Sequence, residues 1–251
     1  MKNFHFGDKK SDKLNFKINM RALGARAKEW EHPTYGLFRM SEDKNKADGN
    51  ILRVTKRTRE IYAFSIMAMA MQDNYKQDWW INTSETEDSD GVIMTFSQES
   101  SKGLAREVQV VEHRSADKEI YDTLLDKIQE TAYSPETILV CLVLINQLCD
   151  FQKLSDRLRQ TPSTFDEIFL VFAGVGITES EITTESLKRT FSLVQVSPAL
   201  VSHSFDYKIL LDDFNTKFKL GRESRCITED KIFFTTRNKS IPLDGEILIK
   251  D

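Results

Sequence analysis

Apolar and polar residues alternate along this chain with two periods, one typical of helices and one typical of strands. From Lys56 onward the apolar spacing is helical, in a methionine-rich segment without Gly or Pro, which predicts a long helix packed in the core. A second helical stretch covers residues 116–131 and ends before Ser134-Pro135, because the residue before a proline avoids the helical conformation. A shorter helix is expected around residues 151–158.

Strand patterns occupy the centre of the chain. Residues 91–96 and 104–112 flank a polar loop, so we expect them to pair as a hairpin. Residues 138–145 and 168–173 are apolar throughout, as expected for strands that are covered on both faces. Helices between these strands imply parallel pairing through right-handed crossovers. The predicted fold class is therefore α/β, with a mixed central β-sheet flanked by helices.

The two ends of the chain differ in character from this centre. Residues 1–50 are polar, glycine-punctuated and weakly periodic, which is typical of an arm or an irregular subdomain. After Gly176 the pattern alternates again, as at residues 191–196 and 232–234, which indicates additional strands. The expected divisions are a basic N-terminal arm (1–55), an α/β core (56–176) and a β-rich C-terminal extension packed on the core (177–251).

Charge is distributed unevenly. Residues 1–60 contain 15 Lys and Arg against 8 Asp and Glu, whereas the remaining residues contain 20 against 31. A basic leading segment is typical of proteins that bind a polyanion such as DNA, although a solvated basic face has the same composition. The candidate phosphate-binding residues are Arg21, Arg26, Lys28, Lys56, Arg57 and Arg59.

Several protein classes are inconsistent with the sequence. The longest apolar run, residues 138–145, is well below the roughly 20 residues that a membrane-spanning helix needs, and the N-terminal residues lack the apolar region of a secretory signal. Cys141, Cys149 and Cys226 have no Cys-x-x-Cys spacing, which argues against a disulfide framework or a zinc ribbon. We therefore expect a cytoplasmic protein in a reducing environment.

Polar side chains interrupt one face of the second hairpin strand. Strand alternation places Glu107 and Gln109 on the same face, with the valine between them on the other. A buried carboxylate is costly unless it is hydrogen-bonded or binds a metal. If the hairpin is centred near residue 100, Asp90 lies opposite residues 109–111, and a second carboxylate approaches the first. Two carboxylates on rigid strands suit Mg²⁺, which promotes phosphodiester hydrolysis.

The order of these residues resembles the PD-(D/E)XK restriction-endonuclease-like superfamily. In that superfamily an Asp on one strand and Glu-x-Lys on the next bind metal, and a helix and a strand follow; the matching residues here are Asp90, Glu107-Val108-Gln109 and the strand at 138–145. The resemblance implies a restriction-endonuclease-like core in which Asp90 and Glu107 bind Mg²⁺, or alternatively Mn²⁺. It implies an endonuclease that hydrolyses DNA in restriction, repair or defence, and a homodimer is compatible with it.

The sequence departs from the superfamily pattern at several positions. Gln109 stands where the superfamily usually has a lysine; the resemblance implies that it helps to orient water, and that Lys127 in the following helix supplies the positive charge. No proline precedes Asp90, and Asp88 is an alternative ligand. Glu60, early in the first long helix, is either the extra acid that some members carry or an exposed helix residue. The alternative function is a catalytically inactive nucleic-acid-binding or protein-interaction module on the same fold.

The sequence also predicts the surroundings of three further side chains. Lys127 follows Ile120 and Leu124 on one helical stripe, from which it can equally extend into solvent. Glu112 points to the opposite strand face from the polar pair and is expected to be a charge at the strand end. His113 is expected in a loop, although it directly follows the strand and could approach the site.

Overall fold

A computed structural model describes the central part of the chain, which is built around one sheet. The described residues are 30–31, 33–77, 79–82, 89–97, 102–130, 137–145, 147–165, 167–173 and 190–206. Eight strands within these residues form a single sheet whose strand order follows the chain. They are β1 (Trp30–Glu31), β2 (Trp79–Asn82), β3 (Gly91–Ser97), β4 (Lys102–His113), β5 (Ile138–Val143), β6 (Ile168–Ala173), β7 (Thr190–Ser197) and β8 (Val201–Asp206).

The sheet is mixed, as the sequence predicts. β4 pairs in parallel with β5, and β5 with β6, whereas the other neighbouring strands pair antiparallel. Parallel neighbours need a connection that returns the chain to the same end of the sheet, and a helix lies in each of these two connections. β3 and β4 form the predicted hairpin, in which Ser97 pairs with Lys102.

Helices cover both faces of this sheet. Those in the described residues are α1 (Thr34–Lys46), a 3₁₀-helix (Ile51–Arg53), α2 (Lys56–Tyr75), α3 (Ile120–Glu130) and α4 (Phe151–Arg159). The side chains of α2 form one hydrophobic cluster with the sheet, and those of α3 and α4 form another. Val108 and Val110 of β4 belong to the first cluster and Val111 packs against the second, which confirms the predicted alternation along this strand.

α2 is the central helix of the structure. The Thr55 side chain caps it by accepting a hydrogen bond from the Thr58 N–H, and its methionines are buried in the core as predicted. Most of the helix is covered because both the sheet and α1 pack on it. Gly36 permits the close approach of α1, since a Cβ at this position would lie 2.0 Å from Ser65 Oγ.

Several expectations about the fold need correction. Residues 34–46, expected in an arm or irregular subdomain, form α1. The helix expected from residue 116 begins at Ile120. The sequence pattern does not predict β2 and β8, because β2 has only four residues and β8 has only two apolar positions, Val201 and Phe205, among serines, a histidine and an aspartate.

Other expectations fall on residues beyond this description. Residues 1–29 and 207–251 lie outside the described part of the chain, and the strand expected at 232–234 lies there too. The longest described helix, α2, has 20 residues and carries several charged side chains. Among the described residues, no helix is both long and apolar enough to cross a membrane.

Candidate functional site

The β3–β4 hairpin brings Asp90 to Gln109, as its predicted register requires. Gly91, the first residue of β3, pairs with Val108, so the preceding Asp90 lies beside Gln109. One carboxylate oxygen of Asp90, Oδ2, accepts hydrogen bonds from the Val110 N–H at 2.7 Å and from Gln109 Nε2 at 2.8 Å. The Asp90 N–H donates to the Val108 carbonyl at 2.9 Å. The backbone and carboxylate of Asp90 are therefore both fixed by β4.

Gly91 brings the hairpin close to α2. A Cβ at Gly91 would lie 2.9 Å from the Asn82 carbonyl oxygen and 2.9 Å from the ring carbon Cζ of Phe64. Contacts this short do not occur for real side chains, so glycine is the residue that fits here. As a result, Asp90 lies against the first turns of α2.

The first turns of α2 contribute a second acid, Glu60. Its side chain is buried, with the residue 4% exposed, so the expectation of an exposed helix glutamate is wrong. Lys56 Nζ lies 3.0 Å from Glu60 Oε1, and Arg57 Nη1 lies 3.4 Å from Oε2. The same Arg57 nitrogen donates to the backbone carbonyl of Asp90 at 2.7 Å. Arg57 therefore joins the two acidic residues.

The charged groups around Asp90 shift the pKa of its carboxyl. Burial raises the pKa of the Asp90 carboxyl above its usual value; the Val110 N–H acts in the opposite direction, and the negative charge of Glu60 adds to the increase. The positive charges of Lys56 and Lys127 lower the pKa of Asp90, and both residues line one groove together with Val110. We name Glu60, Asp90, Gln109, Lys56 and Lys127 the Asp90 cluster.

Lys127 reaches this cluster from α3. Ile120 and Leu124, on the same stripe of the helix, are buried, and the Lys127 side chain is only 16% exposed. Its ammonium lies 3.3 Å from Glu130 Oε2. The side chain therefore does not extend freely into solvent, and its charge remains close enough to act on Asp90.

Glu107 lies two residues before Gln109 on β4. It pairs with Val92 and is half-buried, so it shares the strand face of Gln109. The side-chain bond from β4 to the Asp90 carboxylate nevertheless comes from Gln109. Within the described ranges, which omit residues 83–88 and hence Asp88, no group of three or more His, Cys, Asp or Glu side chains is arranged to hold a metal ion.

Glu112 and Arg59 form a buried ion pair on the α2 side of the sheet. Arg59 Nε donates to Glu112 Oε1 at 2.7 Å, and its Nη1 bonds backbone carbonyls, including that of Val54. Arg114 bonds the other oxygen of Glu112. Glu112 faces away from Glu107 as predicted, but it is ion-paired in the interior. Arg59, a predicted phosphate-binding residue, is 3% exposed and holds β4 to α2.

His113 is the last residue of β4 and is buried, so the expectation of a loop histidine is wrong. Its Nδ1 lies 2.8 Å from Thr123 Oγ1 and its Nε2 lies 2.6 Å from Gln147 Oε1. Gln147 in turn donates to the Lys118 carbonyl. This network ties the carboxyl end of β4 to α3 and to the segment before α4.

A groove of about 450 Å³ adjoins the Asp90 cluster. It shares Lys56 and Lys127 with the cluster and is bounded further by Arg114 and Lys118. These two cations and Lys127 are paired with acids, so basic and acidic groups alternate along the groove. Of the three predicted phosphate-binding residues that the structure describes, Lys56, Arg57 and Arg59, Lys56 has the most open position, with its side chain 71% exposed.

The other predicted phosphate-binding residues, Arg21, Arg26 and Lys28, lie outside the described residues. Comparison of the chain with known proteins gives no match: no family model, no curated protein and no solved structure matches it.

Proposed function

We propose that this protein is a divalent-metal-dependent endonuclease that hydrolyses phosphodiester bonds in DNA, on a restriction-endonuclease-like core. The order of elements supports the proposal: α2 is followed by the antiparallel strands β2, β3 and β4, then by α3, and then by β5 parallel to β4. The resemblance implies the same order after the Asp-bearing strand. A cytoplasmic location agrees with this function and belongs to the proposal.

The observation that carries the proposal is that Arg57 contacts both Glu60 and Asp90, which brings two acidic residues together beside cationic side chains. Burial raises the pKa of Asp90 and the charge of Glu60 raises it further, so a cation placed between these acids would offset an unfavourable interaction. Carboxylate oxygens are the ligands that Mg²⁺ prefers, and this ion commonly uses one or two protein carboxylates while keeping several waters. The residues therefore fit Mg²⁺ or Mn²⁺.

The acidic residues, Gln109 and Lys127 each have a role in this proposal. Asp90 and Glu60 would hold the ion, and Glu107, on the same strand face as Gln109, would be a further acid within the site. Gln109 orients the Asp90 carboxylate through its Nε2 hydrogen bond. The Lys127 ammonium would stabilise the negative charge that develops on the phosphate. A bound Mg²⁺ would supply Lewis-acid stabilisation of that charge.

A cleavage assay with matched variants tests the proposal. Supercoiled, linear and single-stranded DNA are incubated with the full chain and Mg²⁺ or Mn²⁺, and Asp90→Ala, Glu60→Gln and Glu107→Ala are compared with wild type. Removal of a principal ligand is expected to reduce cleavage by about 100-fold or more. Glu42→Gln, at an exposed position of α1, is the matched control and should leave cleavage unchanged. Cleavage that persists in both Asp90→Ala and Glu60→Gln would contradict the site.

A nucleic-acid-binding module without catalytic activity is the second candidate function. One observation favours it: both carboxylate oxygens of Glu60 already face cations, Lys56 and Arg57. If the acids serve only as partners of these cations, the protein would bind DNA with a strong salt dependence. Salt-sensitive binding without cleavage in either metal would establish this alternative.

A further inference from the structure

Arg57 lies between the two acids of the proposed site. Its Nη1 donates to the Asp90 backbone carbonyl at 2.7 Å and to Glu60 Oε2 at 3.4 Å. We infer that Arg57 is a positioning residue that fixes the spacing of Glu60 and Asp90. The inference deepens the proposed function, on which its metal-binding consequence rests.

The remaining contacts of Asp90 explain why this bond matters. β4 holds the Asp90 amide through the Val108 carbonyl, and holds its carboxylate through the Val110 N–H. Arg57 holds the third polar group of the residue, its carbonyl, and does so from α2. Without Arg57, the bonds from Asp90 to the hairpin lose their support from α2, and nothing in this set of contacts ties Asp90 to Glu60.

The same geometry separates the role of Arg57 from that of its neighbour Lys56. Nη1 of Arg57 carries two hydrogens, and the two bonds above use both. The Arg57 side chain is 26% exposed, against 71% for Lys56. Arg57, predicted from the sequence as a phosphate-binding residue, therefore contacts both acidic residues through Nη1, and Lys56 has the more open position toward a phosphate.

The proposed positioning role requires arginine at position 57. A lysine at position 57 would keep the positive charge near Glu60, but its ammonium lacks the rigid planar fork of a guanidinium. We therefore expect Arg57→Lys to retain attraction to Glu60 without restoring the Asp90 carbonyl bond. A methionine at this position removes both bonds and keeps a long apolar side chain.

The test uses the full chain in two independent measurements. Hydrogen exchange of the Val110 amide reports on the Asp90 carboxylate that accepts it, and the Leu170 amide in β6 reports on global stability. Mn²⁺ binding is measured by electron paramagnetic resonance. Arg57→Met and Arg57→Lys are compared with Arg53→Met, because Arg53 forms an exposed pair with Asp48 at 3.6 Å.

The expected result is a loss of hydrogen-exchange protection that is confined to the Val110 amide. Arg57→Met and Arg57→Lys should each lower Val110 protection by about 10-fold relative to Leu170, and should weaken Mn²⁺ binding by about 10-fold, whereas Arg53→Met should change neither. A purely structural role would lower the protection of both amides together. Val110 protection within twofold of wild type in Arg57→Met, or an equal loss at Leu170, would overturn the inference. A local loss in a protein that binds no Mn²⁺ would support the positioning of Asp90 by Arg57 and reject the proposed metal site.

Discussion

A buried ion pair anchors the middle of β4, and its removal should cost much of the protein's stability. Arg106 of β4 bonds Glu167, which directly precedes β6, and the two side chains are 1% and 0% exposed. Arg106→Met leaves the Glu167 carboxylate buried without this partner, which costs about 3–5 kcal/mol when buried pairs are broken. Total stabilities are about 5–15 kcal/mol. For domains of this size each kcal/mol lowers the Tm by about 2–4 °C, so we expect a fall of about 6–20 °C.

Urea unfolding followed by circular dichroism, together with calorimetry, measures this cost. The double variant Arg106→Met/Glu167→Leu replaces both charges with apolar groups and should recover most of the loss, because a buried pair contributes little net stability beyond an apolar replacement. Arg53→Met, which removes an exposed pair, should change stability by less than about 1 kcal/mol. If Arg106→Met unfolds within 1 kcal/mol of wild type, or if the double variant is no more stable than the single one, the reasoning is refuted.

Three other substitutions give distinct results in metal-free urea titrations at several pH values. Burial raises the pKa of Asp90, so the fold disfavours the charged form of this residue. Asp90→Asn should therefore be more stable than wild type at pH 7. This difference in stability should disappear below the ordinary pKa of 3.8, where Asp90 is protonated in both the folded and the unfolded protein. Gly91→Ala should cost about 1–3 kcal/mol, because the new methyl group meets Phe64. Thr58→Val removes a 2.6 Å hydrogen bond to Asp43; it should cost about 1 kcal/mol at pH 7. That cost should shrink as the pH falls below 3.8, because the Thr58 hydroxyl holds the pKa of Asp43 below this value. A less stable Asp90→Asn, an unchanged Gly91→Ala or a pH-independent Thr58→Val would contradict the respective explanation.

The central sheet is predictable because its signals are local. The apolar runs that become β5 and β6 have strand length and no polar interruption, and the register of the β3–β4 hairpin follows from the position of its loop. The meeting of Asp90 with Gln109 is a consequence of that register. These features can be predicted from the period of the apolar residues and the symmetry of a hairpin alone.

The remaining features depend on contacts between distant segments. α1 is weakly periodic and is held on α2 by a close approach at Gly36. Glu60 has the sequence context of an exposed helix residue, and its burial follows from the approach of the hairpin at Gly91. The bond from Arg57 to the Asp90 carbonyl spans 33 residues. Period and composition carry no signal for such contacts, although the i,i+4 pairing of Lys56 with Glu60 is visible in the sequence.

A crystal soaked in Mn²⁺ and examined by anomalous scattering tests the proposed metal site most directly. We expect one strong peak bonded to a carboxylate oxygen of Asp90 and to Glu60, at about 2.0–2.3 Å from each, and its absence in a matched crystal of Asp90→Asn. No peak at saturating Mn²⁺, or a peak that leaves Asp90 uncoordinated, would contradict the metal-dependent nuclease.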